Sequence, residues 1–375
     1  MLLQIIAAAC LVIWLYLALG HGRFWRTSVG LPAGTDPVCW PSVVAVVPAR
    51  NEAAVLPSTL PSLLAQDYLG SWRVIVVDDD SEDRTAQLAE AAGADVVRTT
   101  GPPAGWVGKV AAMAVGIRHA GEPEFLLFTD ADVAYPQGAV SALVRAATTQ
   151  NLDMTSQLVR LRAEGGWERF LIPAFVYFFA QLYPFARVNG PGRTAAAAGG
   201  CMLVRRTALV AAGGVAEIRD ALIDDVALGR LLKRRGRVWL GHSRSIVSVR
   251  GYPRLANVWR MVTRSAYTQL RYSPLLLAIT VSGLLLTYVA PPALTVAGLV
   301  EHDAVLAALG AGSWTVMAAT YVPTLRFYRV LAAWAFALPA VATLYAAMTV
   351  DSARRYGSGR GAAWKGRVAS REGIS

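Results

Sequence analysis

The sequence predicts an α/β protein whose mostly parallel sheet is flanked by apolar helices at both ends of the chain. Three observations lead to this fold class. Short apolar runs alternate with helical segments in the middle of the chain, acidic motifs follow those runs, and long apolar stretches occupy both termini. Continuous apolar strands that alternate with helices are typical of a parallel sheet covered on both faces.

Four strands are predicted from short β-branched or aromatic runs between residues 41 and 251. They are Ser42–Val47, Val74–Val77, Phe125–Phe128 and the less regular Asp95–Arg98. Between them lie the predicted helical segments Ala53–Ala65, Glu82–Ala92 and Lys109–Ala120. Because ligands of such sheets bind at the carboxyl ends of the strands, polar residues at those ends are the first candidates for a functional site.

Composition and charge indicate a membrane protein. Of the 375 residues, 55% are hydrophobic and only 16% are charged, against about 25% in a typical soluble domain. The net charge is +11, and the arginine pairs at positions 23 and 26, 326 and 329, and 354 and 355 all lie beside apolar segments. This placement favours a membrane surface, and no nucleic-acid-binding signature appears, so no nucleic-acid partner is expected.

The N-terminal run Leu2–Leu19 is long enough to span a bilayer, since it reaches about 30 Å as a helix. A secretory signal peptide is the alternative. No basic region precedes the run, however, and no clear cleavage site follows it. The basic and aromatic segment His21–Arg26 comes next. The run is therefore predicted to be an uncleaved helix with the following domain on the cytoplasmic side.

Three further apolar stretches, Leu275–Val300, Ala304–Val322 and Val330–Val350, lie near the C-terminus. Three full crossings would place the tail outside, although it carries Arg354, Arg355, Arg360, Lys365 and Arg367. The positive-inside rule places such a tail in the cytoplasm. Two solutions stay open: one stretch is re-entrant, or Pro291-Pro292 splits a helical hairpin.

Two aromatic segments are expected to lie in the membrane interface. For Trp167–Val188 a core helix is the alternative, and Leu255–Tyr272 leads directly into an apolar stretch. The predicted organisation is an N-terminal transmembrane helix at 1–20, an α/β domain at 41–252, an interfacial helix at 253–273, transmembrane segments at 274–350 and a basic cytoplasmic tail at 351–375.

Four acidic motifs follow the predicted strands or lie in a downstream loop: Pro48–Glu52, Asp78–Asp83, Thr129–Asp132 and the pair Asp224-Asp225. Any one of them could be a helix N-cap. Four in succession predict a site instead. Because crowded carboxylates repel, a cation is expected to offset them. The D-x-D pair within Thr129–Asp132 suits a hard divalent cation that bridges phosphate oxygens.

Over about Ser42–Tyr272, the motifs VVPARNE, VIVVDDDSEDRT, FTDADV and LIDDVALGRLLKRRG resemble glycosyltransferase family 2, which has the GT-A fold. The segments GWVGKVAA (Gly105–Ala112), TQLRYSP (Thr268–Pro274) and WKGR (Trp364–Arg367) narrow the resemblance to bacterial hopene-associated glycosyltransferases and, more distantly, ceramide glucosyltransferases. The resemblance implies transfer of a sugar from a nucleotide-sugar, expected to be UDP-linked, to a membrane lipid, with a hopanoid-type acceptor. Polyprenyl-phosphate and ceramide-type acceptors are alternatives.

The resemblance also implies where the enzyme acts and which residues hold the donor. It implies a multi-pass protein of the bacterial inner membrane with its catalytic domain in the cytoplasm. By this resemblance, Glu52 and either Asp78 or Asp79 hold the base and ribose of the nucleotide-sugar, and Lys109 lies near the nucleotide. Asp130 and Asp132 are implied to hold a Mg²⁺ or Mn²⁺ ion and the diphosphate.

The resemblance assigns the chemical step to Asp225, as the general base that deprotonates the acceptor hydroxyl. A single base and a metal fit one displacement with inversion at the anomeric carbon. Arg271 is implied to stabilise the leaving diphosphate and Tyr272 to stack on the acceptor. The family's Q/R-x-x-R-W motif is replaced here by Thr268–Tyr272 (TQLRY), which speaks against processive polymer synthesis.

Two other classes of protein are weighed against this assignment. A nucleotidyltransferase would need a glycine-rich, basic phosphate loop after the first strand, whereas Pro48–Glu52 is acidic and lacks glycine. A non-catalytic membrane scaffold or transporter component would have no reason to keep Asp130, Asp132 and Asp225 together. Both alternatives are therefore disfavoured.

Overall fold

The computed structural model describes residues 1–358, 363–364 and 367–368. The strands are β1 Val43–Ala49, β2 Trp72–Asp79, β3 Asp95–Thr99, β4 Phe125–Phe128, β5 Val133–Ala134, β6 Met154–Arg160, β7 Met202–Arg205, β8 Val238–Ser248, β9 Ala363–Trp364 and β10 Arg367–Val368. The α-helices are α1 Leu2–Leu19, α2 Leu56–Leu64, α3 Thr85–Ala91, α4 Gly108–Ala120, α5 Ala139–Thr149, α6 Gly166–Leu182, α7 Phe185–Val188, α8 Arg206–Ala211, α9 Asp224–Lys233, α10 Leu255–Thr263, α11 Ala266–Gln269, α12 Pro274–Leu284, α13 Ala290–Val300, α14 Ala304–Phe327 and α15 Leu338–Gly357.

The described residues form two compact units. The sheet unit comprises residues 28–162 and 187–250, and the helical unit comprises residues 1–27, 163–186 and 251–358. This division differs from a continuous domain at 41–252, because the aromatic segment that contains α6 packs with the C-terminal helices. Of the basic tail, Arg360 and Lys365 lie outside the described residues, as does Gly366 of the WKGR segment.

The sheet unit contains a mixed eight-stranded sheet in the order β3-β2-β1-β4-β7-β6-β8-β5. The four predicted strands are confirmed as β1 to β4, and they pair in parallel as expected. The sheet is mixed but mostly parallel, because only β7, which runs antiparallel to both β4 and β6, and β5, which runs antiparallel to β8, oppose the direction of the other six strands. The second half of the sheet was not predicted.

The central strands are buried on both faces, which explains their continuous apolar sequences. Every residue of β1 and β4 is buried. Helix α4 lies close to the sheet at Gly116, where an added Cβ would collide with Val46 and approach Val77. A small residue at this position therefore lets α4 seat its N-terminus beside the strand ends that carry the acidic motifs.

The helical unit contains helices that are long and apolar enough to cross a membrane by length and composition. Among the described residues these are Leu2–Leu19, Gly166–Val188, Pro274–Val300, Ala304–Phe327 and Ala332–Gly357. The second of them, which contains α6, was expected to lie in the membrane interface. The structure instead packs most of α6 inside the helical unit, where Tyr177 contacts Phe24 and Tyr321.

Pro291-Pro292 does not split a helical hairpin. Residues Leu285–Val289 form a π-helical turn that joins α12 to α13, so that Pro274–Val300 runs as one span of 27 residues. Proline lacks the amide hydrogen of a regular helix, and a wide turn before it is a common way to continue through the missing bond. The hairpin alternative for this stretch is therefore wrong.

The segment Leu255–Tyr272 forms the short helices α10 and α11, which pack on the end of α15 in the same unit. Trp259 Nε1 donates to Asp351 Oδ2 (2.7 Å), and the Ser352 hydroxyl donates to the carbonyl oxygen of Thr263 (2.6 Å). This segment is thus fixed to the C-terminal end of the last helix.

Candidate active site

The first two acidic motifs meet at the carboxyl ends of β1 and β2, where Ala49 pairs with Asp78. The Arg50 guanidinium is buried and donates to the carbonyl oxygens of Asp79 (2.6 Å) and Asp80 (2.5 Å). The Asn51 side-chain oxygen accepts from the amide of Glu82 (2.9 Å). These bonds tie the two loops into one rigid edge.

Asp78 and Asp79 differ in how their carboxylates are used. Asp79 Oδ1 accepts a hydrogen bond from the Thr99 hydroxyl (3.0 Å). Asp78 Oδ1 is buried and has no hydrogen-bond partner among the described residues. Because a buried acceptor without a donor is unfavourable, a ligand that donates a hydrogen bond fits at Asp78.

Glu52 and Asp132 are joined by Arg250, a residue that the sequence analysis did not single out. Arg250 Nη2 lies 2.8 and 2.7 Å from the two carboxylate oxygens of Glu52, and its Nε lies 3.0 Å from Asp132 Oδ2. The carboxylates of Glu52 and Asp132 are only 10% and 12% exposed. One guanidinium therefore links the first motif to the second aspartate of the D-x-D pair.

The edge of the sheet holds Asp132 in this position. Strand β5 pairs antiparallel with the end of β8, so that Val133 faces Ser248. The Ser248 hydroxyl donates to Asp132 Oδ2 (2.7 Å), and the amide of Val249 donates to the carbonyl oxygen of Asp132 (2.9 Å). The unpredicted strands β5 and β8 thus determine the orientation of a predicted site residue.

Asp130, Lys109 and Asp224 form a second charged group. Lys109 lies in the first turn of α4, and its Nζ lies 2.8 Å from Asp130 Oδ1 and 3.1 Å from Asp224 Oδ2. Burial by itself would lower the pKa of Lys109, but the negative charges of Asp130 and Asp224 outweigh it and raise that pKa above its ordinary value. Lys109 is therefore a permanent cation between two motifs.

Asp225 lies next to this group. Its Oδ2 accepts from the amide of Gly199 (2.9 Å), and its Oδ1 accepts from the amide of Val226 (2.7 Å). Burial and the charge of Asp224 raise the pKa of Asp225 to about 6, and Lys109 opposes that rise. An added Cβ at Gly199 would lie 3.0 Å from Lys109 Nζ, so only glycine gives this close packing without displacement.

The carboxylates of the site could hold a divalent cation only if a substrate supplied further oxygen ligands. Among the described residues, no group of three acidic, histidine or cysteine side chains is placed to hold a metal ion. Magnesium commonly binds through one or two carboxylates plus substrate phosphates, and Asp130 and Asp132 fit that pattern. Crowding alone does not demand the metal, because Lys109 and Arg250 already offset the carboxylates.

Arg271 and Tyr272 belong to the helical unit. Both adopt left-handed backbone conformations, with φ values of 51° and 56°. The Tyr272 ring stacks on Tyr356 with centroids 4.3 Å apart, and its hydroxyl bonds to that of Thr268 (3.2 Å). The ring expected to stack on an acceptor therefore has an internal stacking partner.

The chain is similar to known glycosyltransferases over part of its length. Residues 44–211 match the family model described as Glycosyl transferase family 2. A 4,4'-diaponeurosporenoate glycosyltransferase of Staphylococcus haemolyticus is 40% identical over 114 residues, which are 29% of either chain. An N-acetylglucosaminyltransferase of Mesorhizobium japonicum is 31% identical over 186 residues, 48% of this chain and 43% of the relative. The chain thus spans less than half the length of these curated relatives.

The fold is also shared with a solved structure. The mannosyltransferase PcManGT from Pyrobaculum calidifontis, in complex with GDP-Man and Mn²⁺, superimposes with a TM-score of 0.57 at 20% identity, covering 94% of this chain and 98% of that one. The mixed sheet is therefore GT-A-like. The match of residues 44–211 to the Glycosyl transferase family 2 model and the similarity to relatives named as glycosyltransferases support the prediction of a transferase enzyme.

Proposed function

We propose that this enzyme, which carries a glycosyl transferase family 2 domain, moves a sugar from a nucleotide-sugar to a membrane lipid with inversion at the anomeric carbon. One observation carries the proposal. Asp225, a carboxylate whose pKa is raised to about 6, lies beside Lys109 and the D-x-D residue Asp130 at the carboxyl ends of the strands. A base, a fixed cation and a phosphate-binding acid are thereby grouped where ligands of this fold class bind.

Asp225 is proposed to remove the proton from the acceptor hydroxyl as the oxygen attacks the anomeric carbon. With a pKa of about 6 it is mostly ionised at neutral pH, yet it is a stronger base than an ordinary aspartate. A single positioned base suffices for one displacement, and that displacement inverts the anomeric configuration. Asp224, which begins α9 and faces Lys109, supports the base without touching the acceptor.

Asp130 and Asp132 are proposed to hold Mg²⁺ or Mn²⁺ together with the donor diphosphate. When bound, such an ion neutralises charge on the departing diphosphate. Lys109 and Arg250 place two more positive charges beside the same aspartates. The solved mannosyltransferase with the shared fold contains Mn²⁺ and GDP-Man, which supports a metal and a nucleotide-sugar here as well. Arg271 remains our proposed stabiliser of the leaving diphosphate.

The donor nucleotide is proposed to contact Asp78 and Glu52. Asp78 is preferred to Asp79, because its buried Oδ1 lacks a hydrogen-bond partner in the described chain whereas Asp79 is bonded to Thr99. A base N–H or a ribose hydroxyl would satisfy that oxygen. A UDP-linked sugar is the donor we expect, and the GDP-Man of the solved relative makes a GDP-sugar the first alternative.

The acceptor is proposed to be a membrane lipid at the cytoplasmic face of a bacterial plasma membrane. One curated relative is named for transfer to 4,4'-diaponeurosporenoate, a carotenoid acid. The apolar helices of the helical unit would bring the enzyme to a lipid of this kind. A hopanoid-type lipid is the acceptor proposed first, and ceramide-type, polyprenyl-phosphate and carotenoid-acid acceptors are the alternatives.

The proposal is tested by incubating purified protein in lipid nanodiscs with UDP-sugars or GDP-sugars and Mg²⁺ or Mn²⁺. Nucleoside diphosphate release and lipid mass are measured together. We expect a glycolipid whose mass exceeds that of the acceptor by one hexose or N-acetylhexosamine, and at least a hundredfold less product with Asp225→Asn. Unchanged lipids in cells that lack the protein, combined with no turnover of any nucleotide-sugar, would contradict the function.

A further inference from the structure

The third apolar stretch near the C-terminus turns back alongside the helix that precedes it. After α14 ends at Phe327, the chain reverses at Arg329 (φ 57°) and continues into the 3-10 helix Ala332–Ala337. Trp314 Nε1 donates to the carbonyl oxygen of Phe336 (3.2 Å), and the two rings meet edge to face. Trp314 lies thirteen residues before Phe327, so the chain has returned about 20 Å along α14.

Helix α15 then runs in the opposite direction and ends near the start of α12. It packs along α12 and the π-helical turn. Near its end, Asp351 accepts from Trp259 (2.7 Å), and Tyr356 stacks on Tyr272, two residues before α12 begins. The chain therefore leaves α15 at the same end of the helical unit at which it enters α12.

The other end of the helical unit is formed without this stretch. The turn from α13 to α14 lies there, and Gln4 in the first turn of α1 donates to Asp303 Oδ2 (2.8 Å). We call the end at which the chain enters α12 the near end. There, the Thr27 hydroxyl lies 3.5 Å from the carbonyl oxygen of Pro323. Helix α1, the span Pro274–Val300 and α14 thus reach from end to end, whereas residues 328–357 begin and finish at the near end.

We propose that residues 328–357 form a re-entrant hairpin whose apex contacts the acyl chains of cytoplasmic-leaflet lipids and which returns the tail to the cytoplasm. This inference rests on the membrane placement in the proposed function. The hairpin exposes Leu331, Trp334 and Phe336 at 69%, 41% and 51%. Apolar side chains of this size suit acyl chains rather than water.

The basic residues support the same arrangement. Arg326 lies just before the hairpin and Arg329 is its second residue, and Arg354 and Arg355 lie at the end of α15. A re-entrant path puts all four on one side of the membrane, whereas a full crossing would put the second pair outside, against the positive-inside rule. Non-helical backbone at membrane depth must be bonded within the protein. The bond from Trp314 to Phe336 provides this at the apex.

The first test is the side of the membrane on which introduced cysteines react. In a chain whose Cys10, Cys39 and Cys201 are replaced by alanine, His302→Cys and Ser358→Cys are labelled in intact cells with a membrane-impermeant maleimide. We expect His302→Cys to react from outside and Ser358→Cys to react only in inside-out vesicles. Reaction of Ser358→Cys from outside would show a full crossing and overturn the hairpin.

The second test is depth. A bimane fluorophore on Phe336→Cys or Leu331→Cys is quenched with lipids that carry a spin label at the headgroup or deep in the acyl chain. If the hairpin is re-entrant, the spin label deep in the acyl chain should quench the fluorophore at position 336 at least twofold more strongly than the fluorophore at position 331. A full crossing would leave both positions shallow and overturn the proposal. Failure of His302→Cys to react from outside would contradict the shared membrane placement, whereas absence of sugar transfer by the native enzyme, with the expected labelling pattern, would count against the function alone.

Discussion

At the scale of single residues, the candidate site is a balance between carboxylates and the cations that face them. Lys109 contacts Asp130 and Asp224, and Arg250 contacts Glu52 and Asp132. Glu52, Asp130 and Asp132 were predictable because they follow strands in sequence, and Asp224 because it forms an acidic pair with Asp225. Arg250 was not, because its role depends on strand pairing that brings residue 250 to residue 132, and nothing in its local sequence records that pairing.

Asp225 is predicted to be the base and Asp224 to be its support. Proton transfer by a placed base is worth about 10²- to 10⁴-fold in rate. Asp225→Asn should therefore lose turnover by roughly that factor while nucleotide-sugar binding changes little. Asp224→Asn is the matched control and should lose much less. Steady-state transfer and equilibrium binding, measured on both variants, check this; greater damage in Asp224→Asn would reverse the assignment.

The pH profile should report the same base. The pKa of Asp225 is raised to about 6, so this carboxylate is protonated at a higher pH than an ordinary aspartate. We predict that kcat/KM falls tenfold per pH unit as pH drops below about 6. Because Lys109 lowers the pKa of Asp225, Lys109→Met should move this acidic limb to higher pH. A wild-type profile that is flat down to pH 4.5 would contradict the raised pKa of Asp225.

Arg250 is predicted to be a positioning residue for the donor site. Lysine keeps the charge but lacks the planar fork that contacts Glu52 and Asp132 at once. Arg250→Lys should raise the donor KM about tenfold, which corresponds to about 1.4 kcal/mol, with a smaller change in kcat. Calorimetric titration with UDP and Mn²⁺ gives a readout independent of turnover.

Arg73→Lys is the control for Arg250, because Arg73 forms an exposed ion pair with Asp95 and such pairs contribute about 0–1 kcal/mol. Its donor KM should equal that of the wild type. An Arg250→Lys enzyme with unchanged donor affinity would show that the link between Glu52 and Asp132 has no part in binding.

At the scale of elements, the strands that are buried on both faces could be predicted from their apolar sequences. The strands of polar composition could not be predicted, because they are recognisable only by their pairing partners. Strands β1, β2 and β4 are continuous apolar runs. Strand β6 instead carries the buried polar residues Thr155, Ser156 and Gln157, and β8 contains Gly241 and Ser243. Such compositions are typical of loops. These segments are strands because β6 forms backbone hydrogen bonds with β7 on one side and with β8 on the other.

Helix α6 is predicted to depend on a single buried carboxylate. Glu168 is 2% exposed, and its Oε2 accepts from the amides of Glu164 and Gly165, both at 2.9 Å. Its Oε1 accepts from the amide of Tyr252 (2.5 Å). Because hydrogen bonds to a charged group contribute about 1.5–3 kcal/mol each, Glu168→Ala should lower the Tm in detergent by several degrees. An unchanged Tm would refute this role.

The control for α6 is Glu122→Ala. Glu122 forms an ion pair with Arg206 but is 83% exposed, so its removal should leave the Tm within about a degree of the wild type. Glu168 was not predicted, because in sequence it is one more polar residue at the start of an aromatic segment. Its hydrogen bond with Tyr252 joins positions that are far apart in the chain.

At the scale of the whole molecule, hydropathy predicted which segments form apolar helices, but it did not predict how the chain enters and leaves them. The segment containing α6 is apolar enough to span a membrane. Its flanking chain, however, continues into β6 on one side and β7 on the other, which are hydrogen-bonded neighbours. The chain that leaves β6 for α6 therefore returns to the strand that lies next to β6. Sequence windows cannot register this constraint, because it arises from pairing between residues about fifty positions apart.

The most direct test of the central claim is transfer of a radiolabelled sugar from its nucleotide-sugar to extractable lipid in membranes that contain the enzyme. The account predicts that label enters lipid with Mn²⁺ or Mg²⁺, that excess chelator stops it, and that Asp225→Asn membranes incorporate at least a hundredfold less. Full incorporation in chelator would contradict the metal, and equal incorporation by Asp225→Asn would contradict the proposed catalytic site.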